Sequence, residues 1–201
     1  MFLKKRLPLL IAALLACALL APSAQAGEPS EVVRKGIHGV LEILGQPDMK
    51  APEKKAERRN RMRKVIHRYF DFEEMSRRSL ARAWRKRTPN EKSEFIELFS
   101  YFMERNYAST LESYTNEKVV LGKETIDAEF AKVNTVIITT DKKEVEIFYR
   151  LHKVGGEWRV YDVVVEGVSL VKNYRDQFRS IIRRTSYANL VKILRAKRDE
   201  G

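Results

Sequence analysis

Asp162 and Glu166 are the pair whose type and spacing come nearest to catalysis. They lie four residues apart in a stretch that reads as a strand, which would point both carboxylates to one face. Two carboxylates in an apolar cavity can divide acid and base roles between them. A plainer reading stands beside it. Glu166 then belongs to the turn before Gly167, and Asp162 pairs with a nearby arginine or a backbone amide. His38, His67 and His152 show no metal-binding spacing such as two histidines one helical turn apart. No nucleophile elbow and no phosphate-cradling glycine loop is present. The histidines read as surface or half-buried residues, and the chain reads as a protein without catalytic residues, cofactor or metal.

Charge is the next chemical feature. Lys and Arg number 39 against 27 Asp and Glu, a formal charge of +12. Such a surplus fits nucleic acid, an anionic membrane surface or an acidic protein. It concentrates in Arg58–Lys64, in Arg77, Arg78, Arg82, Arg85, Lys86 and Arg87, and in Arg179, Arg183 and Arg184. Each run reads either as a solvated helix face or as part of a surface facing anionic headgroups. Sequence alone does not show that they converge. A third feature is an aromatic stripe, Phe95, Phe99, Phe102, Tyr107 and Tyr114, which is core or pocket wall.

These residues need elements to position them. Ser30 can cap a first helix whose apolar face is Val33, Ile37, Val40, Leu41 and Leu44, stopped by Gly45 and Pro47. A second helix runs from about Glu53 to Tyr69. Asp71 with Glu74 reads as a capping box for a third, ending near Arg87. Thr88-Pro89-Asn90-Glu91 opens a long fourth helix that carries the aromatic stripe. After Asn116 the period changes to alternation. Strands are expected at Lys118–Ile126, Lys132–Thr140, Glu144–Lys153 and Trp158–Glu166. Gly155-Gly156 marks a tight hairpin, so an antiparallel meander follows. Ser169 and Ser186 can cap two closing helices. The pattern predicts an α+β domain.

The first residues have another purpose. Lys4, Lys5 and Arg6 precede an apolar run from Leu7 to Leu20, and Ala24-Gln25-Ala26 offers a small-x-small cleavage site. A cleavable secretory signal over residues 1–26 is expected, with one domain over 27–201. Cys17 after Leu14-Leu15-Ala16 is an alternative lipoprotein acceptor, although Leu15 is larger than usual there. Export places the chain in the periplasm and excludes nucleic acid as a partner.

Three stretches carry a resemblance. His67-Arg68-Tyr69-Phe70-Asp71-Phe72-Glu73-Glu74-Met75 is followed by Ala83-Trp84 and by Thr88-Pro89-Asn90-Glu91, leading to Phe95 and Phe99. Trp158, Val160 and Asp162 precede Glu166-Gly167-Val168-Ser169-Leu170, and Asn173-Tyr174-Arg175 precedes Gln177-Phe178. In order and spacing these resemble the MlaC, or toluene-tolerance, family of periplasmic phospholipid-binding proteins. The resemblance implies a fold related to NTF2-like domains: an antiparallel curved sheet with helices packed around it, enclosing an apolar cavity for acyl chains. It implies as partners phospholipid, an inner-membrane ABC transporter complex with a lipid-binding subunit, and an outer-membrane lipoprotein complex, with transient membrane-surface contact. Family likeness and strand parity together place Phe99, Phe102, Tyr107, Val145, Ile147, Tyr149, Val163, Val165, Val168, Tyr174 and Phe178 on the cavity wall. Arg175 is expected at its mouth, binding phosphate or holding the Asn173–Phe178 segment. Three alternatives stay open: a carrier of a hopanoid or isoprenoid lipid, a ligand-free adaptor, and a cavity enzyme using Asp162 or Glu166 as base and a tyrosine such as Tyr149 as acid.

Overall fold

A computed structural model of the chain describes residues 28–113 and 117–200. The expected signal segment, Cys17 and Tyr114 lie outside the described residues. Six α-helices and five strands follow one another: α1 (Glu28–Gly45), α2 (Lys55–Tyr69), α3 (Phe72–Leu80), α4 (Pro89–Glu112), β1 (Lys118–Asp127), β2 (Phe130–Ile138), β3 (Glu144–Val154), β4 (Glu157–Val165), β5 (Val168–Ser169), α5 (Leu170–Arg184) and α6 (Tyr187–Asp199).

The helix starts follow from their caps. Thr88 and Glu91 form the complete reciprocal box at the head of α4. Ser169 and Ser186 accept from Lys172 N and Asn189 N, opening α5 and α6. Asp71 accepts from Glu74 N, but the box is only half made. The Glu74 carboxylate turns to Arg77 and Arg78, and Asp71 N instead donates to Val160 O at 2.8 Å. Two expectations are corrected. Ser30 lies inside α1, which is already helical at Glu28, and its N–H donates to the Glu124 carboxylate. The third helix stops at Leu80, because Ala81 takes φ 48° and a 3₁₀ segment carries the chain to Lys86.

The strands form one antiparallel sheet in the order β1-β2-β3-β4-β5. Two-residue turns join β3 to β4 at Gly155-Gly156 and β4 to β5 at Glu166-Gly167, all four residues with positive φ. Each of the β1–β2 and β3–β4 ladders shifts register once. In the second, Arg150 faces Asp162 while Leu151 faces Val160, leaving Tyr161 as the extra residue. Such bulges bend a sheet, and this one is open and curved.

Register defines two faces. On the inner face, Ala131, Leu151 and Val160 form one row, and Val133, Tyr149 and Val163 the next. Leu121, Thr135, Ile147 and Val165 follow, and then Val119, Ile137 and Val145. The first row packs with Trp158 and Val133 under Val33 of α1. The α2–α3 junction grips the outer edge of β4 through the Phe70–Val160 bridge. Helices α3 to α6 close around a second core of Met75, Phe95, Leu98, Phe99, Val171, Tyr174, Phe178 and Leu190. Phe70 packs against both cores.

Candidate functional site

One half of the inner sheet face lacks a tight cover. Leu151 is 0 % exposed and Val160 1 %. Further along the same strands Val145, Ile147, Tyr149, Val163 and Val165 are only half-buried, as are Val119 and Ile137 beside them. For β1 an edge position explains partial exposure. Ile147 and Tyr149 sit on the central strand β3, hydrogen-bonded on both sides, so their accessible surface means that no helix among the described residues seals that face. Apolar surface on a central strand is normally covered.

Tyr149 stands in the middle of this uncovered half. Burial pushes its hydroxyl up to about 12, with the Thr135 hydroxyl pulling the other way. Yet the side chain keeps accessible area. Thr135 beneath it is 0 % exposed and donates to Ile147 O at 3.3 Å, so its polarity is satisfied within the sheet. On the helical side Tyr107 is half-buried, and its hydroxyl is raised by burial and by the Tyr174 hydroxyl. Asn106 Nδ2 donates to that Tyr174 oxygen at 3.3 Å.

The residues expected on the cavity wall divide into groups. Val145, Ile147, Tyr149, Val163 and Val165 share the inner face. Phe102 and Tyr107 are half-buried against the helical core. Phe99 and Phe178 are sealed inside that core, edge-to-face at 5.4 Å, and Tyr174 joins them with ring contacts of 5.5 and 5.7 Å. Val168 pairs with Val165 but is 57 % exposed beyond the Glu166-Gly167 turn. Arg175 Nε donates to Arg78 O at 2.9 Å, which ties α5 to α3. Val119, Leu121, Thr135 and Ile137 also belong to the inner face. The alternation within Val133–Ile138 and the meander pairing were the signal for them.

Asp162 and Tyr149 fall on opposite faces, because Tyr149 faces Val163 and Arg150 faces Asp162. Asp162 is 2 % exposed and fully engaged: Arg150 Nη1 and Ser169 Oγ donate to Oδ2 at 3.0 and 2.7 Å, and Val171 N to Oδ1 at 3.1 Å. It brackets β4 to the head of α5. Glu166 is exposed in the turn at φ 48°. The acid–base pair Asp162–Tyr149 is therefore not assembled. Each histidine faces one carboxylate, His152 with Asp71 at 2.9 Å being the most enclosed. Among the described residues no group of three His, Cys, Asp or Glu is placed to hold a metal. Between α2 and α4 lies a separate cleft of about 240 Å³ over Met62, Ile66, Ala108 and Leu111. Ion pairs of Arg58 and Arg59 with Glu112 and of Arg63 with Glu104 strap its sides.

A family model described as MlaC protein matches residues 34–196, the whole of this architecture except the first turns of α1 and the end of α6. The chain belongs to the MlaC family. Among relatives, it is 30 % identical over 101 residues to the toluene tolerance protein ttg2D of Pseudomonas putida. It is 25 % identical over 128 residues to the intermembrane phospholipid transport system binding protein MlaC of Haemophilus influenzae. Those alignments take in 50 % and 61 % of this chain, and 47 % and 60 % of the two relatives' own lengths. A solved phospholipid-binding protein from Ralstonia solanacearum, in complex with a phospholipid, superposes with TM-score 0.76 at 23 % identity, covering 87 % of this chain and 98 % of that one. That likeness shows the MlaC fold shared between the two. Among the described residues, no helix of this MlaC-family chain is long and apolar enough to cross a membrane.

Proposed function

We propose that this chain is a periplasmic carrier that holds phospholipid acyl chains against the uncovered half of its inner sheet face. In this reading it passes lipid between an inner-membrane ABC transporter complex and an outer-membrane lipoprotein complex. The observation that carries the reading is the central-strand surface of Ile147 and Tyr149, apolar and left accessible, in a chain of the MlaC family. The proposed wall is Val145, Ile147, Tyr149, Val163 and Val165, with Phe102 and Tyr107 facing them from the helical layer. Phe99, Tyr174 and Phe178 support that layer from behind, Val168 forms a lip, and Arg175 holds α5 in place.

The physics suits a carrier. Each buried methylene contributes about 0.8 kcal/mol, so one long acyl chain represents roughly 10 kcal/mol. Release into water is then slow, while transfer to a bilayer is nearly balanced, since both environments are apolar. Direction comes from partners that open this surface or couple transfer to ATP. No catalytic group is required.

The test is native mass spectrometry of the protein purified without detergent, followed by solvent extraction. A stoichiometric phospholipid is the expected result. A protein that stays empty in several gentle preparations would sink the reading, and a bound hopanoid or isoprenoid would replace the cargo.

A further inference from the structure

Of the three basic runs in the sequence, the structure pairs most of the first with carboxylates and brings the unpaired parts of the other two together. On α2, Arg58 and Arg59 share Glu112, Arg61 pairs with Glu57, and Arg63 pairs with Glu104. In the second run Arg77 and Arg78 pair with Glu74 and Arg87 pairs with Glu91, and in the third Arg179 pairs with Asp176, but the remaining cations differ. Arg82, Arg85 and Lys86 are exposed and have no acidic partner among the described residues. The same holds for Arg183 and Arg184 at the end of α5. These two ends lie side by side. The Arg87 guanidinium stacks 4.2 Å above the Tyr187 ring, and the Tyr187 hydroxyl donates to Glu91 O at 3.1 Å. Ala83 and Trp84 share one core with Ile181 and Ile182. No acidic residue occurs from Ser79 to Asn90 or from Gln177 to Asp199 exclusive of the latter. Arg183 and Arg184 also complement the α5 dipole, a role that does not extend to the 3₁₀ residues.

We infer that this end of the helical layer is a docking surface for an anionic bilayer. Charge complementarity selects the partner. A protein interface needs apolar anchors at a core depleted of charge. Among the described residues the exposed large apolar side chains are Val120, Ile126, Phe130, Val154, Val168 and Ile193, and none lies in either basic segment. Anionic headgroups need only cations within a Debye length. Docking goes beyond the carrier reading and does not depend on cargo.

The experiment is cosedimentation with vesicles of phosphatidylcholine alone and with one quarter phosphatidylglycerol. Wild-type protein is expected to bind the anionic vesicles, and to release them as salt rises. Each cation is worth roughly fivefold in partitioning, so Arg85→Gln, Lys86→Gln, Arg183→Gln and Arg184→Gln combined lose more than about a hundredfold. A control with the exposed Lys35, Lys50, Lys118 and Lys123 changed to Gln carries the same net charge and keeps most of the binding. Equal binding to neutral vesicles overturns the proposal. So does an equal loss in the control, which would make net charge the cause. A patch variant that binds like wild type also overturns it, and turns the patch toward an acidic protein. Phospholipid extracted from the same preparations separates the two readings: a wild type that docks while carrying no phospholipid leaves docking in place and removes the carrier.

Discussion

Leu151 and Ile147 lie on the same strand and the same face, four residues apart, and have opposite fates. Leu151 is sealed under α1 with Val33, Val160 and Trp158. Ile147 sits in a row with Thr135 and Val165 and keeps accessible surface. Both halves are mainly apolar, so composition alone does not account for the difference. Helix reach does: α1 spans the Leu151 end, and Gly39 lets it lie close on α2, where an added Cβ would come within 2.9 Å of Val65. One strand thus serves stability at one end and leaves a surface free at the other.

The sharpest way to break this comparison is a charge at each end. Leu151→Glu places an unpaired carboxylate in a closed core. That costs several kcal/mol, a large share of the roughly 5–15 kcal/mol that holds a domain folded, and the variant is expected to unfold or accumulate as aggregate. Val165→Glu meets the half-buried surface proposed to hold acyl chains and is expected to keep a native circular dichroism spectrum while copurifying phospholipid drops at least about tenfold, as loss of several methylene contacts implies. If both variants unfold alike, the open half is core and the carrier reading loses its surface. Truncation grades the same contrast. Leu151→Ala should cost about 2–5 kcal/mol in urea unfolding, and Ile147→Ala about 1 kcal/mol, since less area is taken from water. Gly39→Ala tests the covering helix: overpacking against Val65 costs about 1–3 kcal/mol, offset by about 1 kcal/mol of helix propensity. A net loss in urea titration is expected, whereas a gain in stability would show that α1 has room to shift.

Much of this architecture was legible beforehand. Thr88-Pro89-Asn90-Glu91 announced α4 because four local choices agree there. Alternation and Gly155-Gly156 located four strands to within two residues. Where a local signal had a competitor in space, the reading failed. Ser30 looks like a cap, but Glu124 on a distant strand takes its N–H. The run to Arg87 looks helical, but Ala81 takes φ 48° and a 3₁₀ segment follows. Strand parity found the five inner-face residues of β3 and β4, yet periodicity could not tell Phe99, sealed in the helical core, from Phe102, half-buried beside it. Burial depth depends on which helix crosses which row, and that is not written in a local pattern. Nor was the joining of the second and third basic runs, which rests on the contact between Arg87 and Tyr187 across the chain.

The smallest effect comes from Tyr149 and reads the uncovered half directly. Burial raises its hydroxyl from 10.0 to about 12 in the folded state. The folded protein therefore holds this proton more tightly than the unfolded chain. The associated stability is fully present below pH 10, neutral pH included, and is lost as pH rises from about 10 toward 12. Tyr149→Phe should flatten that alkaline limb and remove one late phenolate from the ultraviolet titration. Leu151 supplies the control, having nothing to titrate. Acyl chains on that surface would exclude water from Tyr149 further, so extracting the lipid should move the phenolate transition to lower pH. An unchanged transition after complete extraction would place Tyr149 away from the cargo and shift the wall toward Val145 and Val165.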